Sequence, residues 1–282
     1  MMTVMRLPLR IPVTAIVWAT VMAPPSVAAS AVHAELIAAS ASLRPGQPSE
    51  LAVRLRMEPG WHTYWSNPGD SGLATTVRWT LPEGFRAGEL QWPVPQRLGE
   101  PPIVSFGYEH DVLLLSTVDV PSSLAAGSTA KLAARVDWVE CKDICVKGGA
   151  DVALTLPVQD REPTPSPEAA AMAEARERAP VEPFAWTFAA SKNQDRIVLA
   201  ATPVAGSLPA PARVTVFPLE PAVLEHSADQ PLKTTPTQWL ITLTPSTFAT
   251  AFPTRLRAVV VSEAGWLGAG VQPAVQINVP IK

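Results

Sequence analysis

Cysteine is almost absent from this chain. Only Cys141 and Cys145 occur in 282 residues, with three residues between them. That scarcity excludes a disulfide-stapled scaffold, and a chain of this length with 17% charged residues has enough apolar material for a core of its own. An excess of charge is also missing. The 22 basic and 25 acidic residues leave a formal net charge of −3, with no basic stripe, which argues against nucleic acid as a partner. Histidine is limited to His33, His62, His110 and His226, none at a ligand spacing, so neither a zinc site nor a bound cofactor is expected from the residues. Beyond the N-terminal segment no apolar run approaches the roughly 20 residues a spanning helix needs, so the mature chain is not expected to span a membrane.

What is plentiful is proline, at 31 residues. That is too much for a helical protein and fits short strands with proline-rich connections. The N-terminus has the layout of an export signal. Arg6 and Arg10 supply its positive charge, Ile11 to Ala23 its apolar stretch, and the small residues of "SVAAS" a cleavage site after Ala28 or Ala29. Residues 1–29 are therefore expected to be removed, placing the protein in the periplasm, where disulfides are permitted.

Period-two patterning recurs along the mature chain. Leu51, Val53, Leu55 and Met57 share one face of a strand, and Arg54, Arg56 and Glu58 the other. Strand-like runs also cover His33–Ser40, Thr75–Phe85, Asp111–Pro121, Ala130–Cys141 and Ala150–Val158. Their spacing predicts an antiparallel sandwich over residues 30–158. Residues 159–183 are rich in Pro, Ala and Glu and read as a linker with one short helix. Ser166 is the expected cap, Pro167 lies in the first turn, Arg176 and Arg178 lie near the end, and Pro180 stops it. Strand-like runs then return over residues 184–282, predicting a second β-sandwich. The fold class is all-β.

The cysteines end a strand of readable parity. In "KLAARVDWVEC", Leu132, Ala134, Val136 and Trp138 form the core face. Arg135, Asp137, Val139 and Cys141 form the other, so Cys141 is expected to point away from the core. A stabilising link is one use for the pair. It would be a weak one, because closing about five residues constrains the unfolded chain by only roughly 2 kcal/mol. Redox exchange is a second use, suited to a short exposed link. The third is a copper(I) site of two thiolates helped by Met57 or His62.

Five stretches, in order, carry a resemblance: "GWHTYWSNPGDSG" (Gly60 to Gly72), "LPEGF" (Leu81 to Phe85), "WPVPQRL" (Trp92 to Leu98), "FGYEHDVLLL" (Phe106 to Leu115) and "DWVECKDICVKG" (Asp137 to Gly148). Together, over about residues 33–158, they resemble the periplasmic N-terminal region of DsbD-type thiol:disulfide interchange proteins, nearest to the ScsB-like branch. The resemblance implies an immunoglobulin-like fold and a redox-active disulfide at Cys141 and Cys145. It also implies settings in copper tolerance and cytochrome c biogenesis. Implied partners are periplasmic thioredoxin-like oxidoreductases and a membrane-embedded reductase as electron donor. Full family members carry membrane and thioredoxin-like domains for which this sequence has no counterpart, so the donor is expected to be a separate polypeptide. His62 and Tyr64 match positions near the disulfide, and Phe106 matches an aromatic lid over it. Tyr108 and Asp137 complete the expected site lining. The spacing of the pair departs from the best-known DsbD pattern, which leaves open which sulfur is attacked first.

Overall fold

The structure, a computed structural model, describes residues 30–206, 213–266 and 273–282; the expected export signal lies outside the described residues. The first unit contains β1 (Val32–Ala38), β2 (Ser49–Met57), β3 (His62–Gly69), β4 (Thr76–Thr80), β5 (Arg86–Ala87), β6 (Gln96–Leu98), β7 (Ser105–Glu109), β8 (Asp111–Asp119), β9 (Thr129–Cys141) and β10 (Cys145–Pro157). They form two antiparallel sheets, ordered β1-β2-β8-β5 and β10-β9-β3-β7-β6, with β4 also on β9. The alternation seen in the sequence sets the faces. Leu51, Val53 and Leu55 meet Leu132, Ala134, Val136 and Trp138 in one core between the sheets.

The linker does not float. Helix α1 (Ala169–Glu177) buries Met172 completely among Ile37, Ala52, Leu113 and Leu115 on the outer face of the β1-β2-β8 sheet. This bears on Arg54. Period two sets it on the face opposite Leu51 and Val53, and under the linker its side chain is only 8% exposed and sits among Glu35, Asp111 and Glu168. Ser166 departs from expectation. Glu168 occupies the N-cap position without a side-chain cap bond. The Ser166 hydroxyl instead donates to Ala38 O at 2.6 Å and accepts from Glu168 N at 3.1 Å, tying the linker to β1. Arg176 pairs with Glu50 on β2.

The second unit contains β11 (Trp186–Asn193), β12 (Arg196–Pro203), β13 (Val214–Pro218), β14 (Leu232–Thr234), β15 (Trp239–Leu243), β16 (Arg255–Ser262) and β17 (Ala274–Pro280). These strands make sheets ordered β11-β12-β15-β14 and β13-β16-β17. The chain is thus all-β, two immunoglobulin-like sandwiches joined by a linker with a short helix. The β13-β16-β17 sheet is apolar on both faces. Val216, Ala258 and Val260 pack into its own core with Trp239 and Trp266, whereas Phe217, Val259 and Ala274 pack into the core of the first unit. The unbroken apolar run Ala258–Val261 is the sequence signature of such a doubly covered strand.

Candidate functional site

The site lies where β9 turns into β10. Lys142, Asp143 and Ile144 make the turn, and Cys145 stands directly opposite Cys141 in the ladder, with their Cα atoms 4.2 Å apart and the sulfurs bonded. His62 is the ladder partner of Cys141 on its other side. Period two then places Tyr64 on the same face of the sheet as His62. The Tyr64 hydroxyl donates to Cys141 Sγ at 2.8 Å and lies 3.6 Å from Cys145 Sγ. His62 Nε2 is 3.3 Å from that hydroxyl, and the two rings meet edge to face at 5.3 Å.

The pair is asymmetric. Cys141 points away from the main core, as strand parity requires, yet it is only 2% exposed. Tyr64 and Val139 enclose it in a small apolar cluster of their own. Cys145 is exposed, and so are its neighbours Ile144 and Val146. Parity predicts the face but not what covers it. The cover is the segment following β3. Pro68 cannot donate to the ladder, and the pairing of β3 with β7 shifts register between Tyr64 and Gly69. The chain then doubles back over the Tyr64 ring. Gly72 has φ +88°, and a Cβ there would stand 2.2 Å from the ring.

Burial pushes the Tyr64 phenol above its ordinary value, with the Ser71 hydroxyl pulling the other way. The phenol therefore keeps its proton at neutral pH and remains a donor toward sulfur. Burial lowers His62 below its ordinary value, partly offset by Glu109. A neutral His62 donates to the Tyr64 oxygen through Nε2–H in one tautomer, which leaves the phenolic proton for Cys141.

Three of the expected lining residues are elsewhere. Phe106 does not cover the disulfide. In the β3–β7 ladder, Gly107 is opposite Tyr64, so Phe106 projects from the other face of the sheet. There it is buried against Trp65, Phe217 and His226. Tyr108, opposite Thr63, shares that inner face, and its hydroxyl donates to Pro93 O at 2.8 Å. Asp137 is on the sulfur-bearing face but two positions beyond Val139, held by Arg78 at 2.7 Å and Arg135 at 2.9 Å.

Two features escaped the sequence reading. The segment Asp70–Gly72 lies against the Tyr64 ring, and its glycine after "NPGDS" was the available signal. Glu140 is the other, with 2% exposure beside Cys141 but on the opposite face. Its carboxylate accepts from Trp138 Nε1 at 2.8 Å, Ser30 Oγ at 2.7 Å and Ala31 N at 3.0 Å, fastening the end of β9 to the chain entering β1. Among the described residues no three His, Cys, Asp or Glu side chains gather as a metal site would need. Met57 sulfur is buried and accepts from the Thr63 hydroxyl at 3.9 Å. No helix among the described residues is long and apolar enough to cross a membrane.

The comparisons with known proteins include this region. Residues 30–157 match the family model described as thiol:disulfide interchange protein DsbD, N-terminal. No curated protein matches the chain. The N-terminal periplasmic domain of ScsB from Proteus mirabilis superposes with a TM-score of 0.61 at 16% identity, over 92% of this chain and 96% of that one, a likeness of fold. The reduced N-terminal domain of Neisseria meningitidis DsbD covers 48% of this chain and 90% of its own at 14% identity, with a TM-score of 0.26.

Proposed function

We propose, from the premise that residues 30–157 form a DsbD-type N-terminal domain, that this chain is a periplasmic thiol–disulfide exchange module and that Cys145 is the sulfur its partners attack. The observation that carries the reading is the asymmetry of the pair, one cysteine exposed and the other buried under a phenol that donates to it. Exchange needs an approach to one sulfur and a competent leaving group at the other. An incoming thiolate attacks Cys145 Sγ and forms a new S–S bond. The old bond breaks and its electron pair leaves on Cys141, which becomes a thiolate. The Tyr64 hydroxyl, already 2.8 Å away, strengthens its hydrogen bond as that charge develops. A second thiolate of the donor then attacks its own sulfur in the mixed disulfide. The donor leaves oxidised, and Cys145 leaves as a thiolate. The reduced pair runs the same steps in reverse on an oxidised acceptor.

The donor in this reading is a membrane-embedded reductase, and the acceptors are thioredoxin-like oxidoreductases. Ile144 and Val146, 70% and 38% exposed beside Cys145, offer the apolar rim against which such a partner would seat. The test pairs single-cysteine variants with a thioredoxin-like protein activated as a mixed disulfide with a small thiol. Cys141→Ala is expected to form a stable covalent complex through Cys145, and Cys145→Ala little or none. No complex with either variant, together with a reduction potential below about −300 mV, would instead assign the bond a bracing role.

A further inference from the structure

The second sandwich reaches the segment laid over Tyr64 through the side chain of His226. His226 lies between β13 and β14 and is buried, with Nδ1 2.7 Å from Asp70 Oδ1. The other oxygen of Asp70 accepts from Val104 N at 2.8 Å, so the carboxylate is held from both units at once. Ser71, next in sequence, shares a hydrogen bond of 2.7 Å with Ser105. Gly72 follows, laid against the Tyr64 ring. The base of the same segment is also fastened across the boundary. Asn67 Nδ2 donates to Pro218 O at 2.8 Å, and Asn67 Oδ1 accepts from Gly69 N at 3.2 Å. His226 is itself fixed, since Arg97 Nη2 donates to its carbonyl at 2.6 Å and the Phe106 ring meets its imidazole at 5.0 Å.

We infer that His226 is a positioning residue for the exchange reaction: through Asp70 it holds the Asp70–Gly72 segment against Tyr64 and so keeps the phenolic hydroxyl on Cys141. A coupling of this kind needs a contiguous physical chain between the two places. Here it runs from His226 to Asp70 by hydrogen bond, from Asp70 to Gly72 by two peptide units, from Gly72 to the Tyr64 ring by contact, and from Tyr64 to the sulfur by hydrogen bond. The second sandwich then has a task in the chemistry although it contributes no sulfur. The inference rests on the exchange reading for its biological meaning, but its test does not require a partner protein.

The full chain is oxidised, and the rate at which dithiothreitol reduces Cys141–Cys145 is measured for the native protein and variants. His226→Ala is expected to slow reduction roughly 2- to 30-fold, the range of couplings carried along such chains. His226→Asn, whose amide can replace the Nδ1 donor, is expected to stay near the native rate. Asp70→Asn keeps the shape, weakens the same link and is expected to fall between them. Ile241→Val, which thins the second core without touching the segment, is expected to lower the melting temperature and leave the rate unchanged. In a Tyr64→Phe background, His226→Ala is expected to add little, because the hydroxyl it positions is gone. A native rate for His226→Ala and Asp70→Asn, a His226→Asn as slow as His226→Ala, or full additivity with Tyr64→Phe would each overturn the inference. A slow His226→Ala alongside failed partner trapping would leave positioning standing and remove the exchange reading alone.

Discussion

One hydroxyl is hydrogen-bonded to the disulfide. Tyr64 is one of two tyrosines in the chain, and its phenol is aimed at the buried sulfur of the pair. A hydrogen bond to a charged group contributes about 1.5–3 kcal/mol, so Tyr64→Phe is expected to slow reduction roughly 10- to 100-fold. Far-UV circular dichroism should be unchanged. Stopped-flow reaction with a small thiol measures the rate, and a native rate would remove Tyr64 from the mechanism. His62 gives a pH signature. It is desolvated, so folded His62 takes its proton at a lower pH than the unfolded residue, which does so near 6.5. The unfolded chain therefore binds more protons as pH falls below about 6.5, and the folded state loses stability until the lower folded value is passed. His62→Leu is expected to remove that contribution, so its melting temperature should fall less than that of the native protein between pH 7 and pH 5. A parallel profile for both proteins would show that His62 titrates alike in the two states.

Single elements were legible to different depths. Strand β9 could be read almost completely, because its alternation is strict from Leu132 to Trp138 and its two faces have different chemistry. The side of the sheet on which Cys141 stands followed from that pattern. Its burial did not, because the covering segment comes from β3, far away in sequence, and loops carry no period. Phe106 failed for a related reason. Its face is set by which residue of β3 it opposes, and register between distant strands is invisible in one strand's pattern. The bend after Pro68 has its own test. Gly72→Ala adds a Cβ against the Tyr64 ring at a positive φ, whereas Gly127→Ala meets nothing within 4 Å at a similar φ of +83°. Both lose the glycine-only conformation, at about 1 kcal/mol, and only Gly72→Ala also forces the ring to move, for a total of about 2–4 kcal/mol. Urea denaturation compares them. Equal losses would mean that the segment yields and does not press on Tyr64.

At the scale of the whole molecule the two sandwiches share packing. Phe217, Val259 and Ala274 sit in the core of the first unit, and the Asp70–His226 pair sits at the same boundary. Their periodicity announced two β units, but a sheet buried on both faces shows only as the short apolar run Ala258–Val261, which any core strand could own. The linker helix was likewise visible as a helix and not as a cover, since its one fully buried residue, Met172, is a single apolar side chain in an Ala-rich run. The resulting molecule presents one sulfur and shelters the other. Brief reaction of the oxidised full chain with glutathione, acid quenching, alkylation and peptide mass spectrometry tests this directly. Glutathione is expected on Cys145 with the alkyl group on Cys141; adducts divided evenly, or gathered on Cys141, would contradict the account.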